Sequence, residues 1–150
     1  MKKEYTYSKG AVYKGQWLGG FRHGFGEMHW NDGAVYTGEW SYGNANGKGT
    51  FIHIDGDKYE GSWRNNKANG FGVYKHNDGA EYSGYWKDDL QHGKGVETWS
   101  DNSKYEGEYF QGKKHGIGRY FWKDGSKYEG LWDENMISGK VKLSGEIYLE

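Results

Sequence analysis

Hydrophobic and polar residues alternate along most of this chain, and the alternation recurs every 23 residues. The pattern Tyr-x-Gly-x-Trp places an aromatic residue or a glycine at every second position, so these side chains lie on one face of a β-strand. It begins at six tyrosines spaced by 23 residues, which are Tyr13, Tyr36, Tyr59, Tyr82, Tyr105 and Tyr128. This agreement establishes an internal repeat and predicts a strand at the start of each copy.

Turn-forming residues divide each repeat into two strands. Counted from its tyrosine as position one, position eight is always Gly, Asn or Asp, residue types that accept the positive φ of a tight turn. Position twenty is Asp in five repeats and is followed by Gly or, once, Asn, a pair typical of hairpin turns. The sequence therefore predicts an all-β fold, a single-layer twisted antiparallel meander. This solenoid of β-hairpins would have about thirteen strands.

The repeat boundaries place residues 1–150 in one array. A half repeat occupies residues 5–12, and the last, degenerate repeat occupies residues 128–150. Between them lie five full repeats, which are residues 13–35, 36–58, 59–81, 82–104 and 105–127.

Composition indicates what the core is made of. Only 34% of the residues are hydrophobic, but 8 Trp and 14 Tyr are present, so aromatic rings must supply the core; each buries roughly 150–250 Å². Gly between Tyr and Trp leaves space on the strand, which we expect rings of the neighbouring strand to cover, with Trp30, Trp99 and Trp122 as candidates. The opposite face is expected to be polar and solvated.

Composition also excludes several functions. The absence of Cys excludes disulfides and thiolate chemistry, and a chain that needs no oxidising compartment is expected to be cytoplasmic. A net charge of −1 is far from the basic surface that nucleic acid selects, so no nucleic-acid partner is expected. No stretch approaches the ~18 apolar residues of a membrane span.

Catalytic and metal sites are not expected either. Equivalent positions of adjacent repeats lie two strands apart, about 9.6 Å. Histidines at that spacing are too far apart to share one zinc ion, and the recurrent Asp residues exceed the roughly 5–5.5 Å of a retaining glycosidase pair. The Asp residues are interpreted as turn residues that bond their own backbone. The chain is therefore predicted to be non-catalytic, with no metal and no cofactor.

The combined motif resembles the MORN repeat (membrane occupation and recognition nexus). It consists of Tyr-x-Gly-x-Trp, then His/Asn-Gly-x-Gly, then Asp-Gly, at a period of 23 residues, and residues 36–58, 59–81 and 105–127 match it well. The resemblance covers about residues 5–140. It implies a scaffold at a cytoskeletal, ciliary or membrane-proximal assembly. Phospholipid binding is attributed to the family without being general.

Our first hypothesis is a scaffold or adaptor that binds a partner protein through an aromatic groove and open sheet edges. The partner would be a helical peptide or a second copy of the chain. The predicted groove consists of Tyr59, Trp63, Tyr82, Trp86, Tyr105, Tyr109, Tyr85 and Phe110. The aliphatic end of the chain is predicted to cap the sheet or form a homodimer contact through Met136, Ile137, Val141, Leu143, Ile147 and Tyr148.

The alternative hypothesis is a membrane-tethering module that binds an anionic phospholipid, either a phosphoinositide or phosphatidic acid. Its candidate residues are Arg64, Lys67, Lys113 and Lys114. Each basic residue near an anionic surface contributes ~1 kcal/mol, but acidic residues between them reduce that gain.

Overall fold

The computed structural model describes residues 3–141 and 147–148, and these form one antiparallel sheet whose fourteen strands follow chain order. The strands are β1 (Lys3–Thr6), β2 (Val12–Leu18), β3 (Phe21–His29), β4 (Val35–Ser41), β5 (Asn44–Ile52), β6 (Lys58–Arg64), β7 (Lys67–Lys75), β8 (Glu81–Lys87), β9 (Leu90–Thr98), β10 (Lys104–Phe110), β11 (Lys113–Phe121), β12 (Lys127–Asp133), β13 (Met136–Val141) and β14 (Ile147–Tyr148). The all-β meander predicted from the sequence is confirmed, with the two-residue β14 as an addition. Across these residues, no helix is long and apolar enough to span a membrane.

Two-residue turns close the hairpin inside each repeat. Asn65 and Asn66, between β6 and β7, have φ of 48° and 70°, the left-handed pair whose twist matches that of the flanking strands. The turn also bonds to the preceding repeat. The Asn66 amide N–H donates to the carbonyl of Ala45 at 3.0 Å, and the Asn66 side-chain oxygen accepts from the Ala45 N–H at 2.8 Å. Asp89 bonds to Ala68 in the same way, so position eight links adjacent repeats.

The turns between repeats are built on the recurrent Asp. The Asp78 carboxylate accepts the N–H of Ala80 at 2.9 Å, and Asp32, Asp55, Asp101 and Asp124 make the equivalent bond. The interpretation of these residues as turn residues that bond their own backbone is confirmed.

A pair of glycines lies beneath the position-one tyrosine of each full repeat. Gly61 on β6 faces Gly72 on β7, and a Cβ added to Gly72 would overlap the Tyr59 ring. Tyr59 is 3% exposed, and its hydroxyl donates to the carbonyl of Ser62 at 2.8 Å. The space above the glycines is therefore filled by the tyrosine of the same strand. The expectation that neighbouring-strand rings such as Trp30, Trp99 and Trp122 cover it is wrong, because the glycine pair lets the nearest ring lie directly on the backbone.

The rings above the sheet form a continuous ladder. Tyr59 stands perpendicular to Trp63 of its own strand, with ring centroids 5.1 Å apart, and to Trp86 of the next repeat, 5.4 Å apart. The indole N–H of Trp63 donates to the carbonyl of Gly49 at 2.9 Å, and that of Trp86 donates to Gly72 at 3.1 Å. The same contacts recur from Tyr13 to Trp132. Buried rings and backbone bonds thus serve as the core of this sheet, on which the described residues place no second layer.

Candidate functional site

An open groove of about 570 Å³ runs along the aromatic face between Arg22 and Asp89. Its floor contains Ala45 and Ala68, each 5% exposed. Indole rings, including those of Trp63 and Trp86, form its walls. A volume of this size falls within the range of ligand-binding clefts. We call this feature the aromatic groove.

The side chain at position ten sets the depth of the aromatic groove. The six repeats carry Arg22, Ala45, Ala68, Gln91, Lys114 and Ile137 at this position. The two alanines leave the ladder uncovered in the second and third repeats, where the aromatic groove is found. Sequence reasoning missed Ala45 and Ala68. The signal was available, since two small residues occupy a position that carries long side chains in the other repeats.

Arg22 closes one end of the aromatic groove. Its guanidinium lies 5.0 Å from the ring centroid of Trp40 and 5.5 Å from that of Tyr7. It also donates to the Tyr7 hydroxyl at 3.0 Å and to the carbonyl of Gly43 at 2.7 Å. Its buried Nε has no hydrogen-bond partner among the described residues. The exposed carboxylate of Asp89 lies at the other end, so the groove has a cationic and an anionic end.

Tyr74, which lines the groove, is hydrogen-bonded to the carboxylate of Asp57. Its hydroxyl donates to Asp57 at 2.8 Å, and Asp57 also accepts the N–H of Asn77 at 2.8 Å. These two bonds, first the Asn77 amide and then the Tyr74 hydroxyl, lower the pKa of Asp57 below its usual value. The wall is thereby fixed by a charge-assisted contact.

Past Trp86 the aromatic face is closed by polar substitutions. Tyr109 replaces Trp in the ladder and donates its hydroxyl to Glu97 at 2.7 Å. The Lys114 ammonium lies 5.2 Å from the ring centroid of Trp99, 5.4 Å from that of Tyr105 and 6.0 Å from that of Trp132. Burial lowers the pKa of Lys114, and attraction to Glu97 partly opposes that shift. In the fifth repeat the chain therefore covers its own rings with its own cation.

The predicted groove residues separate into three groups. Tyr59, Trp63 and Trp86 line the aromatic groove. Tyr82, Tyr105 and Tyr109 continue the ladder but are buried in a second core cluster, at 1%, 0% and 4% exposure.

The third group, Tyr85 and Phe110, lies on the opposite face, which corrects their assignment to the groove. Each directly follows or precedes a groove-face residue along its strand, and successive side chains point to opposite faces. Tyr85 contacts Phe71 there, and Phe110 contacts His92. That opposite face also exposes Val96 and Ile117, so it is less polar than the sequence predicts.

The predicted lipid-binding residues do not form one patch. Lys114 covers the ladder, and the Lys113 ammonium lies 4.0 Å from the Glu134 carboxylate. Arg64 and Lys67 are exposed cross-strand neighbours at another hairpin. Phospholipid binding stays a prediction.

The terminal aliphatic residues have mixed environments. Met136 is 70% exposed, whereas Ile137 packs against the second core cluster. Val141, Ile147 and Tyr148 pair along the backbone of β13 and β14, and Leu143 lies outside the described residues. A cap or homodimer contact stays a prediction. Within residues 3–141, no group of three or more His, Asp or Glu side chains could hold a metal ion.

These features define a class: an open, single-layer β-repeat protein with an accessible aromatic face. The model of the MORN repeat family matches residues 13–35, 36–58, 59–81, 82–104 and 105–127. The chain therefore belongs to the MORN-repeat family. The matched segments coincide with the five full repeats of the sequence pattern.

Comparison with solved structures supports the same fold. The chain is similar to the TCP domain of Drosophila melanogaster SAS-4 in complex with a proline-rich motif of Ana2, with a TM-score of 0.54, 11% identity, and coverage of 99% of this chain and 88% of that one. The TCP10 domain of Danio rerio CPAP, in complex with a peptide of STIL, matches with a TM-score of 0.30 and 14% identity over 87% of this chain and 68% of that chain. At such identities the first match shows the fold alone. The comparison with curated proteins gives no match.

Proposed function

We propose that the chain is a non-catalytic scaffold that binds an extended segment of a partner protein in its aromatic groove. The observation that carries the proposal is the open groove above Ala45 and Ala68, whose lining includes the half-buried rings of Trp63 and Trp86. Concave clefts lined mainly by apolar and aromatic side chains are the usual form of a binding site. The rigid sheet beneath it places the rings before any partner arrives, which lowers the entropy cost of binding.

The aromatic lining of the groove favours an extended, proline-rich segment. Aromatic-lined grooves accept proline-rich segments, whose polyproline II conformation is formed in advance. The similar Drosophila domain was solved with a proline-rich motif, which supports a probe of the same kind here. The setting we propose is a cytoskeletal, ciliary or membrane-proximal assembly.

A decaproline peptide and an amphipathic helical peptide test the proposal by titration against the ¹⁵N-labelled chain. Each indole N–H gives a separate resonance. Decaproline is expected to shift those of Trp63 and Trp86 and to leave that of the exposed Trp122 unmoved. Ala45→Leu/Ala68→Leu fills the groove floor and should abolish the shifts, whereas Val96→Leu on the opposite face should not.

Two results would count against the proposal. Shifts that persist in the filled variant would place the binding site elsewhere on the sheet. Shifts caused only by the helical peptide would leave the groove as the site but replace the extended segment with a helix.

A further inference from the structure

Position ten provides an internal comparison among the repeats. The Lys114 ammonium lies over three rings, which are Trp99 at position eighteen of the preceding repeat, Tyr105 at position one of its own, and Trp132 at position five of the next. Arg22 lies over the rings at positions eighteen and five, Tyr7 and Trp40. A cation at position ten therefore lies over the rings at positions eighteen and five in two separate repeats.

The second and third repeats contain rings at the same three positions without the cation, with His53 at position eighteen beside Ala68. The equivalent rings are Trp30, Tyr36 and Trp63 around Ala45, and His53, Tyr59 and Trp86 around Ala68. We call these two sets the Ala45 cage and the Ala68 cage. The Tyr36–Trp63 and Tyr59–Trp86 centroid distances are 5.3 and 5.4 Å, against 5.3 Å for Tyr105–Trp132 beneath Lys114. Two of the three rings in each cage thus have the spacing of the rings beneath Lys114.

The charge around the two cages suits an incoming cation. The Asp89 carboxylate lies at the Ala68 cage, where it accepts the Ala68 N–H. The same place beside Lys114 is occupied by the neutral Asn135. At the Ala45 cage the corresponding group is the neutral Asn66 side chain, whose oxygen accepts the Ala45 N–H. A Lys or Arg over these rings gains a cation–π contact, and at the Ala68 cage it also meets an anion.

We infer that the two cages receive two basic side chains of the partner segment, carried three residues apart in a polyproline II conformation. The inference rests on the proposed function, because it names the chemistry of the segment in the aromatic groove. Equivalent positions of adjacent repeats are about 9.6 Å apart. One turn of polyproline II advances three residues by about 9.3 Å and returns to the same face. An extended β-strand advances about 6.6 Å between residues on one face and does not match.

Peptides test the two parts of the inference separately. The probe is acetyl-PPRPPRPP-amide, and its affinity for the chain is measured by calorimetric titration. Replacing both arginines by citrulline keeps the shape and removes the charge. We expect this replacement to weaken binding about 10-fold or more, since each cation–π contact changes affinity by roughly 2- to 30-fold. A peptide of equal charge with its arginines four residues apart should also bind more weakly, because its second side chain points away from the second cage.

Protein variants supply the complementary test. The variant Ala45→Arg/Ala68→Lys puts a basic side chain into each cage, as Arg22 and Lys114 do in other repeats. It should weaken peptide binding at least 10-fold. The matched control, Asn46→Arg/Asn69→Lys, adds the same charge at the next residues, which point to the opposite face. Its affinity should stay within about 2-fold of the original chain, as expected for screened surface charge. Thermal unfolding of both variants verifies that they are folded, as the tolerance of Arg22 and Lys114 in the same position predicts.

The outcomes separate this inference from the proposed function. If the arginine and citrulline peptides bind equally and Ala45→Arg/Ala68→Lys blocks both, the groove binds segments without recognising charge; the cation inference is then wrong and the proposed function stands. Equal binding of the two spacings would refute the two-cage register. If none of the peptides binds the original chain, both proposals fail.

Discussion

Replacing Gly72 by Ala tests whether the glycine pairs exist to seat the tyrosine ladder. A Cβ at Gly72 would overlap the Tyr59 ring, so the ring must leave its position. Tyr59 then loses the hydrogen bond to the Ser62 carbonyl, worth about 1 kcal/mol. It also loses perpendicular contacts with Trp63 and Trp86, worth about 0.5–1.5 kcal/mol each.

The higher strand preference of alanine offsets part of this loss of stability. Alanine is favoured over glycine inside a strand by roughly 0.5–1 kcal/mol. We therefore expect Gly72→Ala to lower the free energy of unfolding by about 2–3 kcal/mol. Gly20→Ala is the matched control, because a Cβ there meets no atom within 4 Å and the backbone φ is not left-handed. Its effect should stay within about 0.5 kcal/mol.

Equilibrium urea unfolding, followed by tryptophan fluorescence and far-ultraviolet circular dichroism, measures both variants. Gly72→Ala is also measured in a Tyr59→Ala background, where the obstructing ring is gone and the substitution should cost almost nothing. If Gly72→Ala costs no more than Gly20→Ala, the reasoning is refuted. A cost that is unchanged in the Tyr59→Ala background would show that the glycine serves backbone pairing and not the ring.

Two further predictions concern the ladder. Trp63→Ala should lower the free energy of unfolding by about 3–5 kcal/mol, as large core truncations do, and an unchanged urea midpoint would show that the ladder is not the core. Burial raises the pKa of Tyr36, Tyr59, Tyr82, Tyr105 and Tyr109 above the ordinary 10.0. The folded chain then binds more protons than the unfolded chain above pH 10, so stability is fully present below that pH and falls as pH rises past it. Tyrosine ionisation followed at 295 nm should coincide with unfolding; ionisation of all tyrosines in a folded chain would contradict the burial.

The sheet could be predicted from the sequence because alternation encodes which face a residue occupies. Tyr, Gly and Trp at positions one, three and five share a face in any strand, and Asp-Gly ends the strand regardless of context. The same rule excludes Tyr85 and Phe110 from the groove, since they stand at positions four and six. Proximity along the chain is therefore a poor guide to the groove, whereas strand geometry places both residues on the correct face.

The location of the groove and the role of Lys114 required three-dimensional structure. Alternation shows on which face of the sheet a residue lies. It does not show how far the side chain extends or which repeats it contacts. Lys114 extends to rings of three different repeats, and its nearest ring, Trp99, is fifteen residues away. In sequence it is only the second of two adjacent lysines, which is why it appeared to be a surface charge.

Some positions of the repeat are the same in nearly every copy, whereas position ten varies. This difference bears on how such a sheet acquires binding specificity. The tyrosine, the glycine pair and the indole cannot vary freely, because each fills space or bonds backbone that the others depend on. The side chain at position ten lies over the same rings but is not itself a ring of the ladder. Different repeats therefore carry different residues there, including Arg22, Ala45, Gln91 and Lys114. We expect a single substitution at this position to open or cover one set of rings while the tyrosine ladder stays in place. Under the proposed function, recognition by the array is therefore set one repeat at a time, at the positions that lie above the ladder.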